Sequence, residues 1–205
     1  MESSANASGI ALSADGTRIA WSRQGSGPPL VIVDPLLADR SSSSTRVLAD
    51  LLSENHTVYT YDRRGMGESG MGEEYTAESD VDDLLAVVQV AGGSAALYGF
   101  ASGAFLALRA AEESAVITRV VALEPSPAID DGDDELLVLQ TELEGLAGVE
   151  VPVLILAGSS SADESRDLAR RAAEALDEGE FQLLEGTAAS VPDAELADTI
   201  ESFLS

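Results

Sequence analysis

The segment Tyr98-Gly99-Phe100-Ala101-Ser102-Gly103-Ala104 has the spacing of a Gly-x-Ser-x-Gly nucleophile elbow, with alanine where an attacking serine would stand. In that motif the serine sits on a sharp strand-to-helix turn and attacks a carbonyl once a base takes its proton. A methyl group cannot do this. The context of the motif is nevertheless present. Residues 95–98 read as a short buried strand, and residues 104–111 (AFLALRAA) as a helix of small and apolar side chains. Gly99 and Gly103 are the small neighbours that let the two backbones approach closely.

Three carboxylates at the ends of strands are the other candidates for chemistry: Asp34, Asp62 and Glu124. Burial in an apolar pocket raises a carboxylate pKa, so any of them could act as acid or base near neutrality. The only histidine, His56, precedes the strand at residues 57–61 and so lies at the N-terminal edge of a sheet. Ligands of open α/β sheets bind at the opposite edge, and a five-residue strand separates the two by roughly 16 Å. His56 is therefore expected in a surface loop. There is no cysteine, which excludes disulfides, thiolate metal sites and a thiol nucleophile, and one histidine excludes a multi-histidine metal site within one chain.

Short β-rich runs alternate with longer amphipathic stretches. A hairpin through Asp15-Gly16 joins residues 10–12 to 17–22. Strands follow at 30–33, 57–61, 95–98, 119–123, 151–156 and 180–184, with helices at 44–53, 77–90, 102–112, 135–146, 162–176 and 194–204. This alternation predicts a mostly parallel sheet. The serine runs 41–44 and 159–161 follow strands, where short polar residues cap helices and form loops.

The 205 residues fit one domain over 1–205. Eleven cations, all arginine, stand against 37 acids for a net charge of −26, a field that repels nucleic acid and anionic membranes. No apolar run approaches the ~18 residues of a membrane span, and residues 1–9 lack a basic, apolar leader. The expected location is the cytoplasm.

The order of these motifs resembles the α/β-hydrolase family over nearly the whole length. The resemblance rests on the opening hairpin, the Asp62-Arg63-Arg64-Gly65-Met66-Gly67-Glu68-Ser69 turn, the elbow, the Glu124-Pro125 turn and the Leu184-Glu185-Gly186 turn. It implies a three-layer α/β sandwich: an eight-stranded, mostly parallel sheet with an antiparallel N-terminal hairpin and helices on both faces. It also implies a serine, a histidine and an acid at successive strand ends. By position these fall on Ala101, on Ala189, and near Ala157 in the stretch 157–161, which offers only hydroxyls. Glu124 matches relatives that take the acid from the preceding strand, while Asp163 fits a first-turn helix carboxylate.

The resemblance further implies an oxyanion hole made by the backbone N–H groups of Ser102 and Leu36, in a pocket that includes Pro35 and Phe100. The Ser102 side chain is expected to cap its helix. Asp34-Pro35 replaces the usual His-Gly, and proline has no N–H to give. A negative Asp34 facing the pocket would oppose an oxyanion. Asp62 and Arg63 brace their turn, Arg109 and Arg119 make surface pairs, and residues 125–150 form a reduced cap. No cofactor is implied.

Three functions fit. The first is a non-hydrolytic member that binds a small apolar or ester-like molecule, or a partner protein. The second is a cyclase, isomerase or lyase type of enzyme using Glu124, Asp34 or Asp62. The third is an engineered esterase scaffold stripped of its triad and cap.

Overall fold

The computed structural model describes residues 6–40, 45–127 and 143–205. Strands β1 (Ala7–Leu12) and β2 (Arg18–Gly25) pair antiparallel, with Ala7 opposite Arg23 and Leu12 opposite Arg18. Both strands run further than their apolar residues alone indicate, because cross-strand pairing recruits the flanking Ala-Ser-Gly and Arg-Gln-Gly segments. Their turn is set by Gly16 at φ +83° and by the Asp15 carboxylate, which accepts the Thr17 N–H at 2.8 Å.

The sheet continues through β3 (Pro29–Val33), β4 (Thr57–Tyr61), β5 (Ala95–Phe100), β6 (Ile117–Leu123), β7 (Val153–Gly158) and β8 (Gly179–Leu184). The spatial order is β1-β2-β4-β3-β5-β6-β7-β8, with β2 antiparallel to β4 and every later pairing parallel. This is the mostly parallel eight-stranded sheet that the alternating pattern implies.

Side-chain alternation assigns the two faces. Val31, Val33, Leu97, Val153 and Ile155 join one core cluster, and Leu30, Ile32, Tyr98, Leu154 and Leu156 the other. Helices α2 (Ala77–Val90), α3 (Ser102–Glu113) and α4 (Asp163–Glu174) cover the first face. Helices α1 (Arg46–Leu52) and α5 (Asp193–Leu204) cover the second. Small residues permit the close seating of α3 and α4: Ala104, Ala107 and Ala110 are buried on one, and Ala169, Ala172 and Ala173 on the other. Helix α2 starts at a capping box, in which Thr76 Oγ1 accepts the Ser79 N–H while Ser79 Oγ accepts the Thr76 N–H.

Most of the expected helix at 135–146 and of the 125–150 segment lies outside the described residues, while residues 143–145 are helical. Within the described part, Leu146–Gly148 forms a single 3-10 turn. No helix among the described residues is long and apolar enough to cross a membrane.

The turn after β4 is fastened to α2 by two buried ion pairs. Arg63 binds Asp80, and Arg64 Nε and Nη2 reach the two oxygens of Asp83 at 2.9 and 2.8 Å. Arg64 Nη1 also binds Asp15 at 2.5 Å, tying the β1–β2 turn to the same anchor. The Arg64 guanidinium, helped by Thr17, holds the Asp15 carboxyl well below the usual carboxylate range. A depressed folded-state pKa stabilises the fold above the unfolded pKa of roughly 4, and that contribution fades as pH falls below it. Asp15→Asn is therefore expected to lower the melting temperature at pH 7, with the gap to the parent chain shrinking toward pH 3. Thermal scans at the two pH values check this.

Candidate active site

The C-terminal edge of the sheet brings the sequence candidates together around the end of β5. Ala101 stands at the N-terminus of α3 with φ 50° and ψ −119°, a conformation strained for any residue with a Cβ. The surrounding backbone holds it there. The Ala101 N–H donates to Leu123 O at 3.0 Å, and Ala101 O accepts from the N–H groups of Ala104 and Ser126 at 3.0 and 3.2 Å. The two motif glycines are sterically required. A Cβ on Gly99 would lie 2.5 Å from Gly103 O, and one on Gly103 would lie 2.1 Å from Val33 O.

Strain of this kind costs roughly 1–3 kcal/mol, whereas glycine adopts positive φ freely at an entropic cost of about 0.5–1 kcal/mol. Ala101→Gly is thus expected to stabilise the fold by about 1 kcal/mol. Urea unfolding of the pair measures it, and a loss of stability would show that the turn is not strained in solution.

The neighbouring strand ends are joined by hydrogen bonds. Glu124, itself at φ +44°, donates its N–H to Leu156 O at 2.8 Å, and its Oε1 accepts the Gly158 N–H at 2.9 Å. Beyond β7, the Ser160 N–H donates to Gly186 O at 2.7 Å, and Ser161 Oγ accepts the Ala188 N–H at 3.2 Å. The turn carrying Ala189 is closed by Ser190, whose Oγ accepts the Thr187 N–H at 2.8 Å. Ala188 and Val191 pack against the same apolar cluster as Phe100, so this turn leans back over the second face of the sheet. Ala189 itself is exposed. Ala157 is fully buried in the opposite core cluster, which leaves Gly158–Ser161 as the turn at the end of β7.

The structure corrects several expectations. Ser102 makes no side-chain cap on its own helix; its Oγ instead accepts the Leu36 N–H at 2.9 Å. The second oxyanion donor anticipated from the sequence is therefore already engaged. Its partner was visible only as a serine after the elbow, since the 66-residue separation hides the contact. Asp34 does not face an open pocket. It is buried, and its Oδ1 accepts from Thr45 Oγ1 at 2.8 Å beside the start of α1. Pro35 is half-buried next to it.

His56 is not a surface loop residue: it is 7% exposed and its Nδ1 lies 3.1 Å from Glu201 Oε1 of α5, although it does sit at the N-terminal edge. Among the described residues Arg119 makes no ion pair. It donates to Phe203 O at 2.7 Å, with its guanidinium 5.7 Å from the centre of the Phe203 ring.

Asp62 is buried with both oxygens occupied, Oδ1 by the Arg40 N–H at 2.8 Å and Oδ2 by the Glu68 N–H at 2.9 Å. Arg40 Nη2 adds an ion pair with Asp62 at 3.0 Å. Asp163 lies in the first turn of α4, paired with Arg166. Tyr98, buried under the elbow, has its hydroxyl pKa pushed well up by burial and then by Asp34 and Asp193, so it remains protonated. Among the described residues, no group of three His, Asp or Glu side chains is placed to hold a metal ion.

Comparison with known proteins agrees with this geometry. Residues 37–203 match the model of a family described as the alpha/beta hydrolase family. Among solved structures, an alpha/beta hydrolase from Sphaerobacter thermophilus superposes with a TM-score of 0.82 at 28% identity, covering 96% of this chain and 100% of that one. An enol-lactonase from Burkholderia xenovorans gives 0.77 at 18% identity, covering 96% and 99%. A Pyrococcus furiosus esterase gives 0.77 at 18%, covering 98% and 89%. No curated protein matches the chain by sequence.

Proposed function

The chain belongs to the alpha/beta hydrolase family, and on that premise we propose that it is a non-hydrolytic member that binds a small apolar or ester-like molecule at the sheet edge beside Ala101. The observation that carries this reading is the backbone of Ala101. The strained turn, its two obligatory glycines and its bracing hydrogen bonds are all kept, while the side chain they present is a methyl group. Ala189 stands where the resemblance puts a base, so neither a nucleophile nor its proton acceptor is supplied.

The reading that uses pocket carboxylates as acid or base finds less support. Asp62 and Glu124 are committed to backbone N–H groups, and Asp34 is turned to Thr45. Oxygens already occupied by donors of the fold are not aimed at a bound substrate, and general acid–base work needs a carboxyl within hydrogen-bond reach of the reacting proton. The same proposal takes residues 1–205 as one domain in the cytoplasm, with 125–150 as a reduced cap.

The test is a panel of p-nitrophenyl acetate and butyrate offered to the unaltered chain. Release of nitrophenol is expected to stay at the rate of buffer alone, while amide resonances of residues 99–104 shift on adding a non-hydrolysable ketone analogue. Saturable turnover of either ester would overturn the reading.

A further inference from the structure

We propose that the free edge of β1 pairs antiparallel with β1 of a second copy of this chain, joining the two sheets across a two-fold axis at Ile10. The pairing is independent of what the elbow edge does.

Strand β1 ends the sheet, and among the described residues its only strand partner is β2. The direction of its unused backbone groups follows from β2. The Ala20 N–H donates to Ser69 Oγ at 2.9 Å and Ala20 O accepts the Asp62 N–H at 2.9 Å, so Ala20 turns its backbone toward β4 and the turn after it. Neighbouring residues of an antiparallel strand point these groups to opposite sides, so Ile19, Trp21 and Arg23 turn theirs toward β1. They stand opposite Ala11, Gly9 and Ala7. Ser8, Ile10 and Leu12 therefore direct their N–H and C=O groups out of the sheet. The same three side chains are exposed, Ile10 at 38% and Leu12 at 66%.

Composition sets this edge apart. An open edge invites pairing, and folded proteins ordinarily guard it with charge or proline. The opposite edge follows that rule: β8 carries Glu180 and is flanked by Asp177, Glu178 and Glu185. Strand β1 reads Ala-Ser-Gly-Ile-Ala-Leu, with neither a charge nor a proline. Over residues 6–25 Arg18 and Arg23 outweigh Asp15 for a net charge of +1, in a chain of net charge −26. Asp15 is itself paired with Arg64. Two copies so acidic repel one another over most of their surface, and this edge is a place where they can meet.

A second copy fits the edge because the strand is complementary to itself. With Ile10 opposite Ile10 of the other copy, Ser8 falls opposite Leu12 and Leu12 opposite Ser8, and each opposed pair exchanges two hydrogen bonds. The isoleucines meet at the axis while the arginines stand back on β2, Arg18 behind Leu12 and Arg23 behind Ala7. One strand pair buries less than the roughly 1,200 Å² of a stable interface, so the dimer is a weak one. Helix α2, which packs on β1, exposes Glu78 and Asp82, and salt screens the repulsion between these and their copies.

The experiment is sedimentation velocity of the full chain from about 1 μM to 1 mM, at ionic strengths of ~0.01 and ~1 M. The mass is expected to double as concentration rises, with a midpoint that falls as salt is added. Ile10→Glu sets two carboxylates against each other at the axis and is expected to stay monomeric throughout. Leu183→Glu, at an exposed position on β8, is expected to dimerise like the parent chain. Two cysteine variants read the geometry without relying on charge, since the chain has no other thiol. Opposed hydrogen-bonded residues hold their Cα atoms about 5.5 Å apart, within reach of a disulfide. Mild oxidation is therefore expected to link Ile10→Cys into covalent dimers at least about tenfold faster than Leu183→Cys.

Several outcomes would each overturn the proposal: a monomer across the whole range, assemblies that grow past the dimer as head-to-tail β1–β8 pairing would, or dissociation by salt. So would an Ile10→Glu chain that still dimerises, a Leu183→Glu chain that does not, or equal cross-linking of the two cysteine variants. None of these outcomes bears on ester turnover at Ala101, so the pairing and the non-hydrolytic reading fail separately.

Discussion

The double variant Ala101→Ser/Ala189→His is expected to hydrolyse p-nitrophenyl acetate where the parent chain does not, and adding Ser102→Ala is expected to raise that rate by a further factor of about a hundred. The first part follows from the turn at Ala101, whose φ and ψ already lie in the strained conformation that presents an elbow side chain. A serine placed there is inert without a base, and general-base assistance is worth about 10²–10⁴ in rate, so Ala101→Ser alone is expected to stay near background. The histidine at 189 would come from a turn that is tied to the end of β7 through Ser161 and packed against the cluster that includes Phe100.

The second part follows from the Leu36 N–H, which the parent chain commits to Ser102 Oγ. Losing one oxyanion donor costs about 10²–10³ in turnover. Removing the Ser102 hydroxyl frees that N–H for a developing oxyanion, while the Ser102→Ala change leaves the backbone donor of residue 102 in place. Initial rates for the four proteins decide the matter. A folded double variant with no activity would mean that the turn after β8 does not deliver residue 189 to the elbow. A triple variant no faster than the double would mean that Leu36 is not an oxyanion donor.

Much of this architecture was legible in the order of the residues. The strands β3, β5 and β7 announce themselves as apolar runs, and the elbow is marked by two glycines whose spacing has a single steric meaning. Local signals of this kind survive in a sequence because the cause and the effect lie within a few residues of each other. What could not be read were contacts across the fold. Ser102 with Leu36, Arg63 with Asp80 and His56 with Glu201 join residues that are 66, 17 and 145 positions apart. Short polar side chains are the most ambiguous: Ser102 at a helix start reads as a cap, and only the neighbouring strand's loop reveals that it serves another backbone. His56 was misread for a similar reason, since nothing near it in the chain indicates that α5 closes over it.

Gly103→Ala is expected to be among the most damaging small substitutions in the molecule, lowering stability by about 4 kcal/mol or more, near the limit of what single changes do. Exposed helix positions usually gain up to about 1 kcal/mol from the same change, because alanine is the better helix former. Here the helical preference is overruled by a contact. The added Cβ would stand 2.1 Å from Val33 O and 2.8 Å from Asp34 O, both backbone atoms, so no flexible side chain can swing aside. Val33 pairs with Gly99 in the centre of the sheet, and moving β3 would disturb its pairing with both neighbours. The remaining relief is for α3 to rise from the sheet. That movement would stretch the Leu36 N–H···Ser102 bond and release the braces that hold Ala101 in its turn. Gly16→Ala is the control, since its Cβ would meet nothing within 4 Å and carries only the cost of positive φ, about 1 kcal/mol. Urea midpoints of the two variants give the comparison. If Gly103→Ala unfolds no earlier than Gly16→Ala, α3 does not seat on β3 at this distance. In that case the elbow lacks the close helix–strand contact on which both its strain and its binding edge depend.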